Sequence, residues 1–279
     1  MKVSDFFNKL GNSAKSIVKV ATLSRKSGLK PGNNSGPLII MANGPSLNET
    51  IAGNLSLLKE SDTMSVNFAP LAPVFFDIKP RFHVMADPLF FAEDKPETVK
   101  KLYEALKQVD GPMTLLVPCR NRKNVTAEVA GNSALKVCGF NFVGGEGFQW
   151  VEKVLYNSKR AMPRPRNVLV PSLMCGIWMG YSEIFIVGAD HSWMQTISVD
   201  DDNNVISVQP HFYKDDRREQ QRIDSAYRNY RLHDIVYSFS VAFRSYHTLN
   251  RYAQKKGVRI YNSTPGSFID AFPRRQLPC

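Results

Sequence analysis

Short apolar runs alternate with helical patterns along most of this chain of 279 residues. The runs hold four or five residues rich in Val, Ile, Leu and Phe, which is too short for a typical helix and favours buried strands. Buried strands separated by helical crossovers predict an α/β fold with a mostly parallel sheet flanked by helices. The predicted strands are 38–41, 63–67, 81–85, 113–117, 183–187 and 259–262, and the predicted helices are 96–109, 169–180 and 234–256.

The first 37 residues lie outside this alternation. Apolar residues at helical spacing, among them Phe6, Leu10, Ile17 and Val20, are surrounded by lysines and arginines and precede a linker rich in Gly, Pro and Asn. Such a helix either lies on an anionic membrane surface or packs on the domain or a partner, and the sequence leaves both open. The predicted organisation is therefore a basic N-terminal helix with its linker, then a Rossmann-like domain over 38–279.

A second interruption falls between the strand that ends at Val187 and the last long helix. Residues 192–232 hold an acidic turn, from Asp200 to Asn204, followed by a densely charged stretch. Long insertions after a sheet strand are commonly lids, so a lid-like insertion is predicted in the C-terminal third. The acidic run is interpreted as a solvated hairpin turn rather than a metal site, because Asp and Asn favour turns.

The first predicted strand runs directly into Asn43, Gly44, Pro45 and Ser46. Gly allows positive φ, and Ser46 with Glu49 has the spacing of a capping box at a helix start. A strand, a small-residue turn and a capped helix can cradle a phosphate, because free N–H groups of the turn face the anion. An ordinary β–α turn explains the same residues, and the motif is neither GxGxxG nor a P-loop.

Four small polar residues each follow a predicted strand immediately: Asn43, Asn67, Asp87 and Asp190. In parallel sheets, ligands bind at the carboxyl ends of the strands. We therefore expect these four side chains to line one site.

Composition narrows the choice of partner. The net charge of +11 and pI near 9.5 favour an anionic partner, such as a nucleotide, a lipid headgroup or a nucleic acid. The basic residues are spread over several segments without a nucleic-acid-binding motif, which argues against nucleic acid. The four cysteines form no CxxC pair and indicate a reducing compartment. No run approaches about 18 apolar residues and no signal-peptide core is present, so a cytoplasmic protein, peripheral on the inner membrane face, is expected.

Four segments in order carry a family resemblance: Met41 to Leu47, Val66 to Phe68, Asp87 to Phe91 and Gly180 to Asp190. Over roughly residues 38–272 the chain resembles the bacterial sialyltransferases of glycosyltransferase family 42 and the related domain found in flagellin nonulosonic acid transferases. The resemblance implies an inverting, metal-independent transfer of a nonulosonic acid from a CMP-sugar donor. The implied acceptor is a bacterial surface glycan, such as lipopolysaccharide or capsule. No further cofactor is implied, and a homo-oligomer is compatible with the sequence.

The resemblance also implies donor-binding residues. It puts Asn43 and Gly44 against the donor phosphate and ribose, Asn67 beside them, and the segment around Ser172 near the base. Asp87 departs from the family pattern, which has asparagine there. A carboxylate near a phosphate is repulsive unless it binds a sugar hydroxyl or a metal.

The lid and the general base complete the implied site. Lid tyrosines of the family hydrogen-bond the departing phosphate; Ser192 stands where one of them is expected, and Tyr213 is the candidate for the other. The acceptor hydroxyl must lose a proton, and histidine suits this role near neutral pH. The family's base stands just before the last long helix, a place that His233 fills. His191 and His211 are rivals, and either could instead bind the donor's carboxylate or phosphate.

Two other functions remain open, the first of them implied by distant relatives of this domain. A Mg²⁺-dependent phosphotransferase of the pyrophosphokinase type would need metal-binding carboxylates, for which Asp87 and Asp190 are candidates. A basic nucleic-acid-binding protein is the alternative of another class.

Overall fold

A parallel sheet of seven strands forms the centre of the molecule. The computed structural model describes residues 3–32, 34, 36–207 and 230–278. The strands are β1 (Leu38–Met41), β2 (Asp62–Val66), β3 (Phe82–Val84), β4 (Met113–Pro118), β5 (Leu135–Phe140), β6 (Glu183–Val187), β7 (Ile197–Val199), β8 (Val205–Ser207) and β9 (Arg259–Asn262). The sheet order is β5-β4-β3-β2-β1-β6-β9, while β7 and β8 pair separately as an antiparallel hairpin. The predicted α/β, Rossmann-like fold is therefore confirmed.

Helices flank this sheet. Within the described residues they are α1 (Val3–Leu23), α2 (Leu47–Glu60), α3 (Val74–Ile78), α4 (Glu97–Lys107), α5 (Arg122–Glu128), α6 (Gln149–Asn157), α7 (Leu169–Trp178) and α8 (Leu232–Lys255). In this described part of the chain, none of the helices combines the length and the apolar character needed to cross a bilayer.

The central strand β1 explains why the fold forms. Its four residues are buried and alternate between two clusters. Leu38 and Ile40 pack on the side of α7, whereas Ile39 and Met41 pack on the other side with Leu58 of α2. Each such side chain contributes about 1.5–3 kcal/mol when fully buried. All ten residues of α7 are buried, which accounts for a helix without a polar face.

The strand order places a crevice at β1. This strand pairs with β2 on one side and with β6 on the other, and all these pairings are parallel. The chain moves outward from β1 to β5 and then returns to β6 at the opposite edge of β1. Such a reversal is a topological switch point, where the loops after the two strands diverge and leave space for a ligand.

The described part of the predicted lid contains the β7–β8 hairpin. One carboxylate oxygen of Asp200 accepts hydrogen bonds from the backbone N–H groups of Asp202 (3.1 Å) and Asn204 (2.7 Å), and Asn203 has a φ of +62°. The acidic run is therefore a hairpin turn, as the sequence predicts. Val205 packs the hairpin against the first turns of α8.

A buried histidine in β3 predicts acid sensitivity. His83 is fully buried, its Nδ1 lies 2.8 Å from Ser65 Oγ, and burial lowers its pKa to about 3. An unfolded histidine titrates near pH 6.5, so between these values the unfolded state binds more protons. We expect the free energy of unfolding to fall as the pH falls from 6.5, by up to about 1.4 kcal/mol per pH unit from this group.

Urea unfolding at several pH values between about 4.5 and 7 measures this slope. The variant His83→Gln should have a shallower slope than the wild type, because glutamine does not titrate. His247, which is half exposed on α8, provides the matched control, and His247→Gln should keep more of the wild-type slope. Equal slopes in the wild type and His83→Gln would contradict the prediction.

Candidate functional site

Small polar side chains lie at the carboxyl ends of four neighbouring strands. In spatial order they are Asp87 after β3, Asn67 after β2, Asn43 after β1 and Asp190 after β6. Asn43 also joins two strand ends directly, because its Nδ2 donates to the carbonyl of Val66 at 3.1 Å. The structure thus brings together the four residues that the sequence selects.

Two of these residues present unused acceptors. The Oδ1 atoms of Asn43 and Asn67 are buried and have no hydrogen-bond partner within the described residues. The carbonyl of Val66 fixes the amide of Asn43, because only the Nδ2 side can donate to it. A buried polar atom without a partner costs about 1–3 kcal/mol, which a ligand that donates a hydrogen bond would recover. Hydroxyl and amino groups fit these oxygens, whereas an ionised phosphate oxygen does not.

The turn after β1 differs from the predicted phosphate cradle. The N–H of Gly44 donates to the carbonyl of Gly188 at 2.8 Å, and the N–H of Ser46 donates to Oδ1 of Asp190 at 3.3 Å. The hydroxyl of Ser46 donates to the second carboxylate oxygen at 2.8 Å, and Pro45 has no N–H. The N–H groups of Gly44 and Ser46 are thus already bonded, and a carboxylate stands where the anion was expected. Donor binding by residues 43–46 stays a prediction, but not through such a cradle.

Two local expectations about this turn are wrong. Gly44 does not have positive φ, since the glycines with positive φ are elsewhere in the chain. Its role is close approach: an added Cβ would collide with the Asp190 carboxylate and lie 2.6 Å from the carbonyl oxygen of Gly188. Ser46 lies at the start of α2 but makes no side-chain capping bond, because its hydroxyl is bonded to Asp190.

Asp87 has a local partner. One of its carboxylate oxygens accepts the N–H of Leu89 at 2.9 Å and caps the short 3₁₀ helix Pro88–Phe91. Asp87 is half-buried at the strand-end row. In the part of the chain that the structure describes, no group of three or more His, Cys, Asp and Glu residues could hold a metal ion.

Ser172 is not accessible to a ligand. It lies inside α7, is fully buried, and donates its hydroxyl proton to the carbonyl of Val168 at 2.8 Å. The helix predicted over 169–180 is found here, but the expectation that Ser172 lies near the donor base is corrected, because its side chain is buried inside that helix. A serine in a wholly apolar helix satisfies its hydroxyl by bonding the carbonyl one turn earlier.

His191 lies next to the strand-end row and has a φ of +52°. Its ring is 4.1 Å from that of Trp193 and inclined to it by 33°. Its Nε2 is 2.6 Å from the hydroxyl of Tyr246, a fully buried residue of α8. Since Asp190 bonds the turn after β1 and the next residue bonds α8, this short segment ties the central strand to the last long helix.

A directed chain of hydrogen bonds sets the protonation of His191. Oδ1 of Asn167 accepts the N–H of Leu169 at 3.0 Å, so Nδ2 is the atom that donates to Tyr246 at 2.7 Å. The Tyr246 hydroxyl is then available to donate its own proton to Nε2 of His191. Burial lowers the pKa of His191 to about 3, so the ring is neutral at pH 7. The bond from Tyr246 to Nε2 then assigns the single ring proton to Nδ1. The Nδ1 proton makes His191 a hydrogen-bond donor, and its low pKa makes it a weak base.

His233 is far from this chain of hydrogen bonds. It lies in the first turn of α8 with 81% of its side chain exposed, and its Nε2 is 3.5 Å from Asp234 Oδ1. Thirteen residues separate it from Tyr246, which corresponds to about 20 Å along a helix axis. The structure brings His191 to the strand ends and does not bring His233 there.

The remaining predicted residues concern the lid. Ser192 is half-buried beside His191 and precedes the 3₁₀ helix Trp193–Gln195 without a side-chain capping bond. His211 and Tyr213 lie outside the described residues, so their predicted roles are unchanged.

Three side chains of this site were not selected from the sequence. Tyr246, Asn167 and Trp193 all contact His191 directly or through one hydrogen bond. Tyr246 repeats with Phe239 and Phe243 at helical spacing, which is the pattern of ordinary core residues. Only Trp193 carried a usable signal, because a large aromatic residue beside a candidate histidine at a strand end is unusual for a solvated loop.

Comparison with solved structures finds the same fold in a MAf glycosyltransferase from Magnetospirillum magneticum AMB-1. The TM-score is 0.52 at 12% sequence identity, and the match covers 95% of this chain. The chain spans 38% of the length of that protein. No protein-family model and no curated protein matches the sequence. This chain therefore shares its fold, over nearly its whole length, with part of a glycosyltransferase.

Proposed function

We propose that this chain is a sialyltransferase-like glycosyltransferase. In this proposal it transfers a nonulosonic acid from a CMP-sugar to a bacterial surface glycan, by inversion and without a metal. The fold shared with a MAf glycosyltransferase and the four sequence segments around 41–47, 66–68, 87–91 and 180–190 support it.

One observation carries the proposal: two unpaired amide oxygens, on Asn43 and Asn67, lie at adjacent strand ends beside the switch point. Ribose hydroxyls and the amino group of cytosine are donors of the kind these oxygens need. The Asp190 carboxylate repels a phosphate from the turn after β1. We therefore expect the ribose to lie over β1 and β2, with the phosphate directed toward the Nδ1–H of His191.

The proposed reaction assigns separate roles to two histidines. The acceptor hydroxyl attacks the anomeric carbon as the bond from that carbon to the phosphate oxygen breaks, and CMP leaves with the electron pair. His191 donates a hydrogen bond from Nδ1 to the departing phosphate, where negative charge develops. His233 remains the proposed base, and this requires the first turns of α8 to move toward the strand ends when both substrates are bound.

Nucleotide binding and CMP release together test the proposal. Calorimetry should show binding of CMP without added metal, and Asn43→Ala should weaken it by roughly 5- to 30-fold, the effect of losing one or two hydrogen bonds. Asn124→Ala, an exposed asparagine on α5, serves as the control and should bind normally. Incubation with CMP-linked nonulosonic acids and a lipopolysaccharide extract should then release CMP.

Other outcomes would replace the proposal. Binding of ATP with Mg²⁺ but not of CMP would favour the phosphotransferase alternative, and binding of DNA alone would favour the nucleic-acid alternative. Preference for a UDP- or GDP-sugar would keep the transferase and overturn the CMP donor.

A further inference from the structure

The N-terminal helix α1 packs on the protein through its polar face. Ser13, Ser16 and Val20 are its buried residues. The hydroxyl of Ser16 donates to the carbonyl of Glu146 at 2.8 Å and accepts the N–H of the same residue at 2.9 Å, while Ser13 Oγ accepts the N–H of Phe148 at 3.0 Å. These hydrogen bonds give partners to backbone groups of the loop before α6, and they hold α1 against that loop.

Two further features fix the position of α1. Gly147 has a φ of +143°, and a Cβ there would lie 2.8 Å from backbone atoms of Ser13, so only glycine permits this contact. Just beyond the helix, the amide of Asn141 accepts the N–H of Arg25 at 2.7 Å and donates to its carbonyl at 2.8 Å. The packed-helix expectation for this segment is therefore confirmed, with hydrogen bonds from two serines beside the apolar contacts of Val20 and Phe6.

The apolar side of α1 faces solvent. At 3.6 residues per turn, seven of its apolar residues fall on an arc of about 100°, turned about 120° away from the packed face. Phe7 and Val18, which lie about 20° apart around the helix axis, each expose 62% of their surface. We call this set the apolar stripe; it consists of Val3, Phe7, Leu10, Ala14, Ile17, Val18 and Ala21, all of which are exposed. A helix that packs on its own domain normally turns this side inward.

Basic residues accompany the apolar stripe. Of the first 32 residues of the sequence, seven are Lys or Arg and one is acidic, so more than half of the net charge of +11 lies there. Lys15, Lys19, Arg25, Lys26 and Lys30 are exposed. Apolar exposure alone would suit a protein partner, but this charge complements the headgroups of anionic lipids.

We propose that the apolar stripe of α1 docks this protein on an anionic lipid surface. Phe7, Leu10 and Val18 enter the boundary between headgroups and acyl chains, while the lysines and arginines contact the headgroup phosphates. The neighbouring helix α6 also exposes a tryptophan, Trp150, a residue type enriched at membrane interfaces. This inference is independent of the proposed transfer reaction, because it rests only on α1 and its contacts.

Vesicle co-sedimentation of the full chain tests the docking. The protein should bind vesicles of phosphatidylglycerol and phosphatidylcholine more tightly than pure phosphatidylcholine, and binding should weaken when salt is raised from about 0.1 M to 0.5 M. Reversing two charges with Lys15→Glu and Lys19→Glu should weaken binding by about 30-fold, taking roughly 1 kcal/mol per lysine. The equivalent change at Lys100 and Lys101, both exposed on α4, should have a smaller effect.

A matched pair of valines tests the apolar stripe itself. Val18 on α1 and Val236 on α8 are both exposed, so replacing either by aspartate leaves the fold intact. Val18→Asp should weaken vesicle binding at least tenfold, whereas Val236→Asp should leave it near the wild-type value. Equal binding by both variants, or no binding to anionic vesicles by the wild type, would overturn the proposal. Loss of a dimer, rather than of vesicle binding, in Val18→Asp would show that a second copy of the chain covers the stripe.

Discussion

Replacing Gly44 by alanine is expected to destabilise the protein by about 2–4 kcal/mol and to abolish nucleotide binding. The added Cβ would lie 2.6 Å from the carbonyl oxygen of Gly188, a backbone atom that cannot rotate away. It would also displace the carboxylate of Asp190 from its two hydrogen bonds to Ser46. The loops after β1 and β6 would separate, and these loops form the switch point at which we expect the nucleotide.

The measurement is urea unfolding of Gly44→Ala beside calorimetric titration with CMP. Gly53→Ala provides a matched control in the following helix, because a Cβ at Gly53 meets nothing within 4 Å. That variant should be equally or more stable, by up to about 1 kcal/mol, since alanine favours helix more than glycine does. Wild-type stability in Gly44→Ala would show that the loops after β1 and β6 can move apart at little cost. The close approach of Gly44 to Gly188 would then not be needed for stability.

Replacing Tyr246 by phenylalanine is expected to lower turnover by roughly 100-fold while changing CMP affinity little. The substitution removes the hydroxyl that bonds Nε2 of His191 and Nδ2 of Asn167. Without this bond the proton of His191 is free to move from Nδ1 to Nε2, away from the departing phosphate. The loss should appear in kcat, because charge on that phosphate develops in the transition state.

Tyr252 supplies the control on the same helix. It is also buried, and its hydroxyl donates to Oδ1 of Asn157 at 3.0 Å. Both Tyr→Phe variants should lose about 1 kcal/mol of stability, but only Tyr246→Phe should change the catalytic histidine. Nitrogen NMR of the histidine rings measures the tautomer of His191 and does not depend on an activity assay. Nδ1 of His191 should be protonated in the wild type and in Tyr252→Phe. A protonated Nε2 in the wild type would overturn the assigned role of His191, whatever the reaction.

The fold could be predicted largely because its strands are buried on both faces. Runs such as 38–41 and 184–187 are continuous and apolar, and each predicted strand is found within one residue at either end. The strand Leu135–Phe140 escaped prediction because it lies at the sheet edge, where only its last three residues are buried. Helix α6 escaped because its apolar face is narrow and Trp150 and Val154 are exposed.

Only those residues of the candidate site that directly follow a strand could be predicted from the sequence. Asn43, Asn67, Asp87 and Asp190 follow strands directly, so topology alone brings them to one edge. The partner of each side chain could not be predicted, because Asp190 meets Ser46 from 144 residues away. The same limit applies to His191 and Tyr246, whose contact depends on how α8 packs across the sheet.

The pairing of β1 also has a consequence during protein synthesis. On one edge, β1 pairs with β2, and only helix α2 lies between the two strands in the sequence. On the other edge, Leu38 pairs with Ile184, which is made 146 residues later. At typical translation rates of about 5–20 residues per second, that second edge waits roughly 7–30 s for its partner. An apolar, unpaired strand edge is a template for pairing with other chains. In the nascent chain, one edge of β1 therefore remains unpaired until β6 has been made. Aggregation through this edge competes with folding during that time.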